Sequence, residues 1–387
     1  MKKGIYTQLD PVLFGSGTVA AAGDKAKEIG ITKAMVVSDE GVEKAGHVET
    51  LTGALKEAGL EYIVWAKAEK DCPDQTVAEA AAIAREEKVD GIIGIGGGSV
   101  LDTAKAIAAV TANDDQVLKD IALYIMGVKT YVNAPLPVLE IPTTSGTGSE
   151  STFVAVVTST DLDCKIGLPV PPQYAIVDPQ LTCTVPQYIT AFTGMDCLAH
   201  ATESLSEAKN TAHSDLLAYE AIRLVHEYLP KAVADGNDLD AREHLAFASN
   251  IAGISFNESG THVGHSCAHA IGHHYHLDHG VCCADVTPAV IRFTARDYPE
   301  KIKRYGEIFG VEYSGEETSE EIGRKTAEAV SAFGKSVGVK TFREEGLTKE
   351  ELLKLAEEID ADHLAHCYGG ELTRSDIEEI LAGSYED

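Results

Sequence analysis

The sequence predicts an α/β N-terminal domain with a parallel sheet over residues 1–185, followed by an all-α C-terminal domain over 186–387. Strand-like and helix-like segments alternate through the first half. From about Pro186 they give way to long periodic segments with few β-branched runs. A chain of 387 residues is also too long for one ordinary core, which makes two domains the natural division.

Taken in order, 33–38 (KAMVVS) is a strand that ends at Asp39, and 41–59 follows as a helix. Residues 62–66 form the next strand, and 76–88, rich in Ala and Glu, the next helix. Then come the strand 91–95 (GIIGI), a glycine turn and the helix 100–110, with later strands at 136–141 and 174–177. Helices of this length between strands cover both faces of a parallel sheet. In the second half the periodic segments 215–228, 241–254, 320–337 and 349–359 are helices. No internal repeat or low-complexity tract is present.

Apolar residues make up 44% of the chain, ample for burial, and the net charge of −29 leaves no basic surplus for nucleic acid or an anionic membrane. The first six residues, MKKGIY, begin basic but lack the apolar run of a secretory signal, and no stretch approaches a transmembrane span. The eight cysteines include no C-x-x-C pair and read as reduced thiols of a cytoplasmic protein. Cys282 and Cys283 could bind a soft metal, with packing in the core as the favoured reading.

The turn Gly94-Ile95-Gly96-Gly97-Gly98-Ser99 follows a strand and opens a helix. Glycines there let a pyrophosphate approach the backbone N–H groups and the positive dipole end of the helix. It is not the Rossmann fingerprint, because Ser99 replaces the last glycine and the acidic candidate, Asp39, lies upstream. Alone it is equally a tight strand–helix turn. A second polar turn, Pro142-Thr143-Thr144-Ser145-Gly146-Thr147-Gly148-Ser149-Glu150, follows another strand. Two such turns at the carboxyl ends of strands in one Rossmann-like sheet favour a bound dinucleotide.

Seven of the 14 histidines fall between His262 and His279. Asp196 with His200, and His265 with His269, stand four residues apart, which on a helix puts both side chains on one face about a turn apart. A carboxylate with several imidazoles suits Zn²⁺ or Fe²⁺ better than Mg²⁺ or Ca²⁺.

Together and in this order, LFGSG at 13–17, GGGSVLDTAK at 96–105, IPTTSGTGSE at 141–150, TGMDCLAH at 193–200 and the His-rich segment ending in Asp278-His279-Gly280 resemble the iron-containing (group III) alcohol dehydrogenases. The likeness extends to roughly residue 300. It implies the dehydroquinate-synthase-like fold of that family and Asp196, His200, His265 and His279 as ligands of Fe²⁺ or Zn²⁺. It also implies His269 beside the substrate as proton relay, and NAD(H) held by Gly97, Gly98, Ser99, Thr143, Thr144, Thr147 and Lys165. Asp39 matches the acidic position at the adenosine ribose and favours NAD(H) over NADP(H). The implied reaction interconverts a small primary alcohol and its aldehyde in at least a homodimer.

The chain departs from the family pattern at 270–278, at Cys72-Pro73 in place of Asn-Pro, and at 368–371, where Asn-Pro-Arg is missing. His262, His273, His274 and His276 read as core or surface residues; the other reading is that some line the pocket and meet a polar or anionic tail on the aldehyde. The alternative function is an NAD- and metal-dependent lyase of the dehydroquinate-synthase type, whose phosphorylated substrate calls for a more basic pocket. A metallopeptidase is disfavoured because His265-Ser266-Cys267-Ala268-His269 lacks the glutamate that would act as base. A third reading, a metal- or nucleotide-binding protein without turnover, ranks below the dehydrogenase.

Overall fold

The computed structural model describes Tyr6 and residues 8–386. Most of the N-terminal segment on which the export-signal reading falls lies outside the described residues. The chain divides into two compact units, one of Gln8–Thr144 with Gly148–Thr184, the other of Val185–Asp387 with Ser145–Thr147.

The first unit holds strands β1 (Val12–Phe14), β2 (Lys33–Val37), β3 (Glu61–Trp65), β4 (Gly91–Gly96), β5 (Val138–Pro142), β6 (Val154–Ser159), β7 (Cys164–Pro169) and β8 (Tyr174–Val177). Six of them form one sheet in the order β1-β8-β5-β4-β2-β3, every pair parallel. The remaining two, β6 and β7, make a separate antiparallel pair. On β2 and β4, Met35, Val37 and Ile92 enter one core, while Ala34, Val36, Ile93 and Ile95 enter the other. Burial on both faces is why these strands read as continuous apolar runs rather than alternating ones.

The sequence reading runs the segment 41–59 as one helix. The structure breaks it into Glu40–Lys44 and His47–Ala58 at Gly46, whose φ of 85° is left-handed. Between β4 and the helix Gly98–Ala112 the approach is close. A Cβ on Gly96 would lie 2.5 Å from that of Val100, so only glycine fits there.

In the second unit the helices Gln187–Ser204, Ala212–Ala234 and Leu239–Ser259 share a core that includes Leu198, Ile222 and Leu245. The helices Val263–Tyr275, His279–Thr294 and Arg374–Glu386 enclose a second one around Ile271, Cys282, Val290 and Ile377. Every residue from Gly194 to Ser204 is buried, so that helix shows no amphipathic stripe in the sequence. Among the described residues no helix is long and apolar enough to cross a membrane.

Candidate metal and cofactor sites

The helix Gln187–Ser204 carries Asp196, His200 and Glu203, spaced so that all three share a face. Val263–Tyr275 contributes His265 and His269, and His279–Thr294 contributes His279 and, one turn on, Cys283. Donor atoms of Asp196, His265, His279 and Cys283 all lie within 4.8 Å of one another. His279 Nε2 is 3.5 Å from Asp196 Oδ1 and 3.4 Å from Cys283 Sγ. His200 stands outside this quartet. Its Nδ1 lies 3.5 Å from Asp196 Oδ1, and its ring is 4.3 Å from that of His265. The half-buried His269 ring stacks on His279 with centroids 5.2 Å apart.

Glu203 organises this face. Its carboxylate accepts from His265 Nδ1–H at 2.5 Å and from the backbone N–H groups of His262 at 3.0 Å and Gly264 at 2.5 Å. A Cβ at residue 264 would sit 2.4 Å from Glu203 Oε1, so this carboxylate needs glycine there. Burial alone would raise the Glu203 carboxyl, but His262 and His265 hold it well below the usual carboxylate range. For His265 burial pulls downward and Glu203 outweighs it, so the imidazole is held up. His200 is pushed well below its usual value, first by burial and then by His265, with Glu203 working against both.

With Nδ1 committed to Glu203, His265 Nε2 carries the lone pair, and this buried atom has no hydrogen-bond partner; neither has His200 Nδ1. An unsatisfied buried nitrogen costs about 1–3 kcal/mol. A cation bound here would remove that penalty at His265. Donors of N, O and S type suit a transition metal rather than Mg²⁺ or Ca²⁺. The residues therefore fit the metal that the sequence implies.

The other histidines go elsewhere. His262 is fully buried, with Nε2 2.9 Å from Ser206 Oγ and Nδ1 3.2 Å from Glu203 Oε1. His274 and His276 are exposed, and His274 pairs with Glu358 at 2.7 Å. Glu203 was not singled out from the sequence, and for Cys283 core packing was preferred over soft-metal binding, although His279 and Cys283 repeat the four-residue spacing that marks the other two pairs.

In the first unit the two polar turns leave neighbouring strands, β4 and β5, at their carboxyl ends. Thr143 N–H donates to Gly96 O at 2.9 Å, and a Cβ on Gly97 would touch Thr144 at 3.5 Å. Gly97 begins the helix Gly98–Ala112 with no side-chain cap, so the first-turn N–H groups meet no capping side chain. Ser99 Oγ accepts from Asp71 N–H at 3.1 Å, and Asp71 Oδ1 holds Lys165 Nζ at 2.7 Å. Asp39 follows β2 and caps the helix Glu40–Lys44, accepting from Gly41 and Val42 N–H at 2.7 and 2.9 Å through Oδ1. Cys72, where the family pattern has Asn, takes a left-handed φ of 48°, a conformation Asn adopts more readily. Thr147 belongs to the helical unit, whereas Thr143 and Thr144 belong to the first.

A glycine turn after a parallel strand and a donor cluster of Asp, His and Cys are features that nucleotide- and metal-dependent enzymes share. Residues 10–179 match the model of the iron-containing alcohol dehydrogenases, and 190–385 match the C-terminal model of that family. The second match carries the likeness well past residue 300, where the sequence motifs thin out. The NAD-dependent methanol dehydrogenase of Bacillus methanolicus is 36% identical over 375 residues, 95% of this chain and 96% of that protein. The choline dehydrogenase of Bacillus subtilis is 33% identical, over 91% of this chain and 87% of that protein. A crystal structure of 1,3-propanediol oxidoreductase superposes with a TM-score of 0.91 at 30% identity, covering 99% of this chain and 100% of that one. The chain belongs to the iron-containing alcohol dehydrogenase family and is an NAD-linked oxidoreductase of alcohols and aldehydes.

Proposed function

We propose that this enzyme interconverts a small primary alcohol and its aldehyde with NAD(H), at a metal held by Asp196, His200, His265 and His279. The observation that carries the reading is the cluster of buried donors on three helices, with His265 aimed into it by Glu203. When bound, the metal supplies a Lewis acid that polarises the substrate oxygen, and the nicotinamide supplies the hydride acceptor or donor. The protein does the rest. Glu203 fixes the His265 tautomer, an arrangement that raises ligand basicity and orients the ring. Buried side chains around Asp196 and His200 keep water away, which strengthens every charge interaction there. His269, stacked beside His279, takes the proton from the alcohol at a ring nitrogen and returns it in the reverse direction. The open N-terminus of the helix Gly98–Ala112 receives the pyrophosphate, flanked by Ser99, Thr143 and Thr144. Asp39 Oδ2, the oxygen not used in capping, accepts from a ribose hydroxyl and repels a 2′-phosphate.

The exposure of His274 and His276, and the pairing of His274 with Glu358, favour a substrate without an anionic tail. The test is NADH oxidation by anaerobic, Fe²⁺-reconstituted protein against short aldehydes, some bearing hydroxyl, carboxylate or sulfonate tails. Metal-dependent turnover with preference for an untailed aldehyde is expected. Bound metal and NADH without turnover would reject the reading.

Two substitutions examine the parts. His269→Ala is expected to lower kcat on the order of 10²-fold and to change the pH–rate profile. Full turnover with an unchanged profile removes His269 from the mechanism. Asp39→Gly should raise kcat/KM for NADPH relative to NADH by roughly tenfold, equivalent to about 1.4 kcal/mol. An unchanged ratio counts against the ribose contact.

A further inference from the structure

We infer that Cys283 is a ligand of the metal centre, adding a thiolate to the donors the family motifs provide. The inference rests on the metal reading above and deepens it. Three observations at this site converge. Cys283 Sγ belongs to the quartet of donor atoms within 4.8 Å of one another, a set that His200 does not join. Four residues after His279 on the same helix, Cys283 stands on the same face one turn along, as ligand pairs on rigid helices do. The third observation is that His265, which shares the donor quartet with Cys283, has a buried Nε2 with no hydrogen-bond partner.

The competing account is a buried thiol that does no more than contact His279 and hydrogen-bond Asp196. Cys282 shows what such a residue looks like: it is completely buried in a core with Cys267, Ile271 and Val290 and stands outside the donor quartet. Its neighbour Cys283 is equally buried but has its sulfur 3.4 Å from a ligand nitrogen. Coordination exchanges the S–H bond for a sulfur–metal bond and releases one proton to solvent, with no change of oxidation state. A thiolate makes the centre softer, which favours Zn²⁺ and Co²⁺ over harder, oxygen-preferring cations.

The test uses the metal-stripped full-length protein titrated anaerobically with Co²⁺ alone. The visible d–d bands report metal bound in the site, and a near-ultraviolet sulfur-to-cobalt charge-transfer band reports thiolate coordination. Both are expected in the wild-type protein. In Cys283→Ala and Cys283→Ser the charge-transfer band should vanish while the d–d bands remain, and Cys282→Ala should keep both. Cobalt bound without the charge-transfer band in the wild type, or a band that survives Cys283→Ala, overturns the ligand assignment and leaves the metal centre standing. No cobalt binding at all in the wild type overturns the metal centre and the assignment with it.

Discussion

Replacing His265 by alanine is expected to strip the metal and to lower kcat/KM for the aldehyde by on the order of 10³-fold, about 4 kcal/mol of transition-state stabilisation. The size follows from where His265 stands. It is nearly fully buried, and its Nδ1 is committed to Glu203, so Nε2 is the atom free to face Asp196, His279 and Cys283. Removing the ring deletes one donor and also leaves the Glu203 carboxylate buried with only His262 and backbone N–H groups to answer it. The graded companion is Glu203→Gln. It keeps the ring but weakens what orients it, and metal affinity should fall roughly 10- to 100-fold. Metal content by elemental analysis, measured beside kcat/KM, separates the two variants. Full metal occupancy in His265→Ala would falsify its role as a ligand.

Much of this was legible in the sequence, and the parts that were not share a physical cause. The parallel sheet was readable because strands buried on both faces, such as KAMVV and GIIGIG, are short apolar runs closed by turn residues. Helices that carry the donors were not readable as amphipathic elements. The helix Gln187–Ser204 is buried all round near its C-terminal end, so the spacing of Asp196 and His200, rather than a stripe, betrayed it. Strand β1, of three residues, and the β6–β7 pair were too short or too little patterned against turn-rich surroundings to stand out. Glu203 escaped notice because a glutamate on a helix is usually solvated. Its role depends on Gly264 approaching from another helix, a contact that no local pattern encodes.

Lys105 offers the second large effect, on stability. Its side chain is completely buried, with Nζ donating to Ser149 O at 2.5 Å and Ser149 Oγ at 2.8 Å. It is also 3.9 Å from Asp102 and 4.0 Å from Glu140, which is itself fully buried. Burial raises the Glu140 carboxyl well above its usual range, and raises Asp102, while Lys105 works against both. Asp10 is pushed up to about 7, first by burial and then by Glu150, again against Lys105. Acids raised in the folded state keep their protons when the unfolded chain has lost them. Stability is then highest below the unfolded values near pH 4 and declines as pH climbs through the folded ones. Lys105→Met removes the main opposing charge, so the decline should deepen and extend to higher pH. The expected loss is about 3–5 kcal/mol at pH 8 and clearly less at pH 5, read from denaturant midpoints at both pH values. Adding Glu140→Gln should restore part of the loss at pH 8, because the two groups are close enough to couple. Equal losses at both pH values would mean that Lys105 acts through packing and its hydrogen bonds to Ser149, with the carboxyl groups as bystanders.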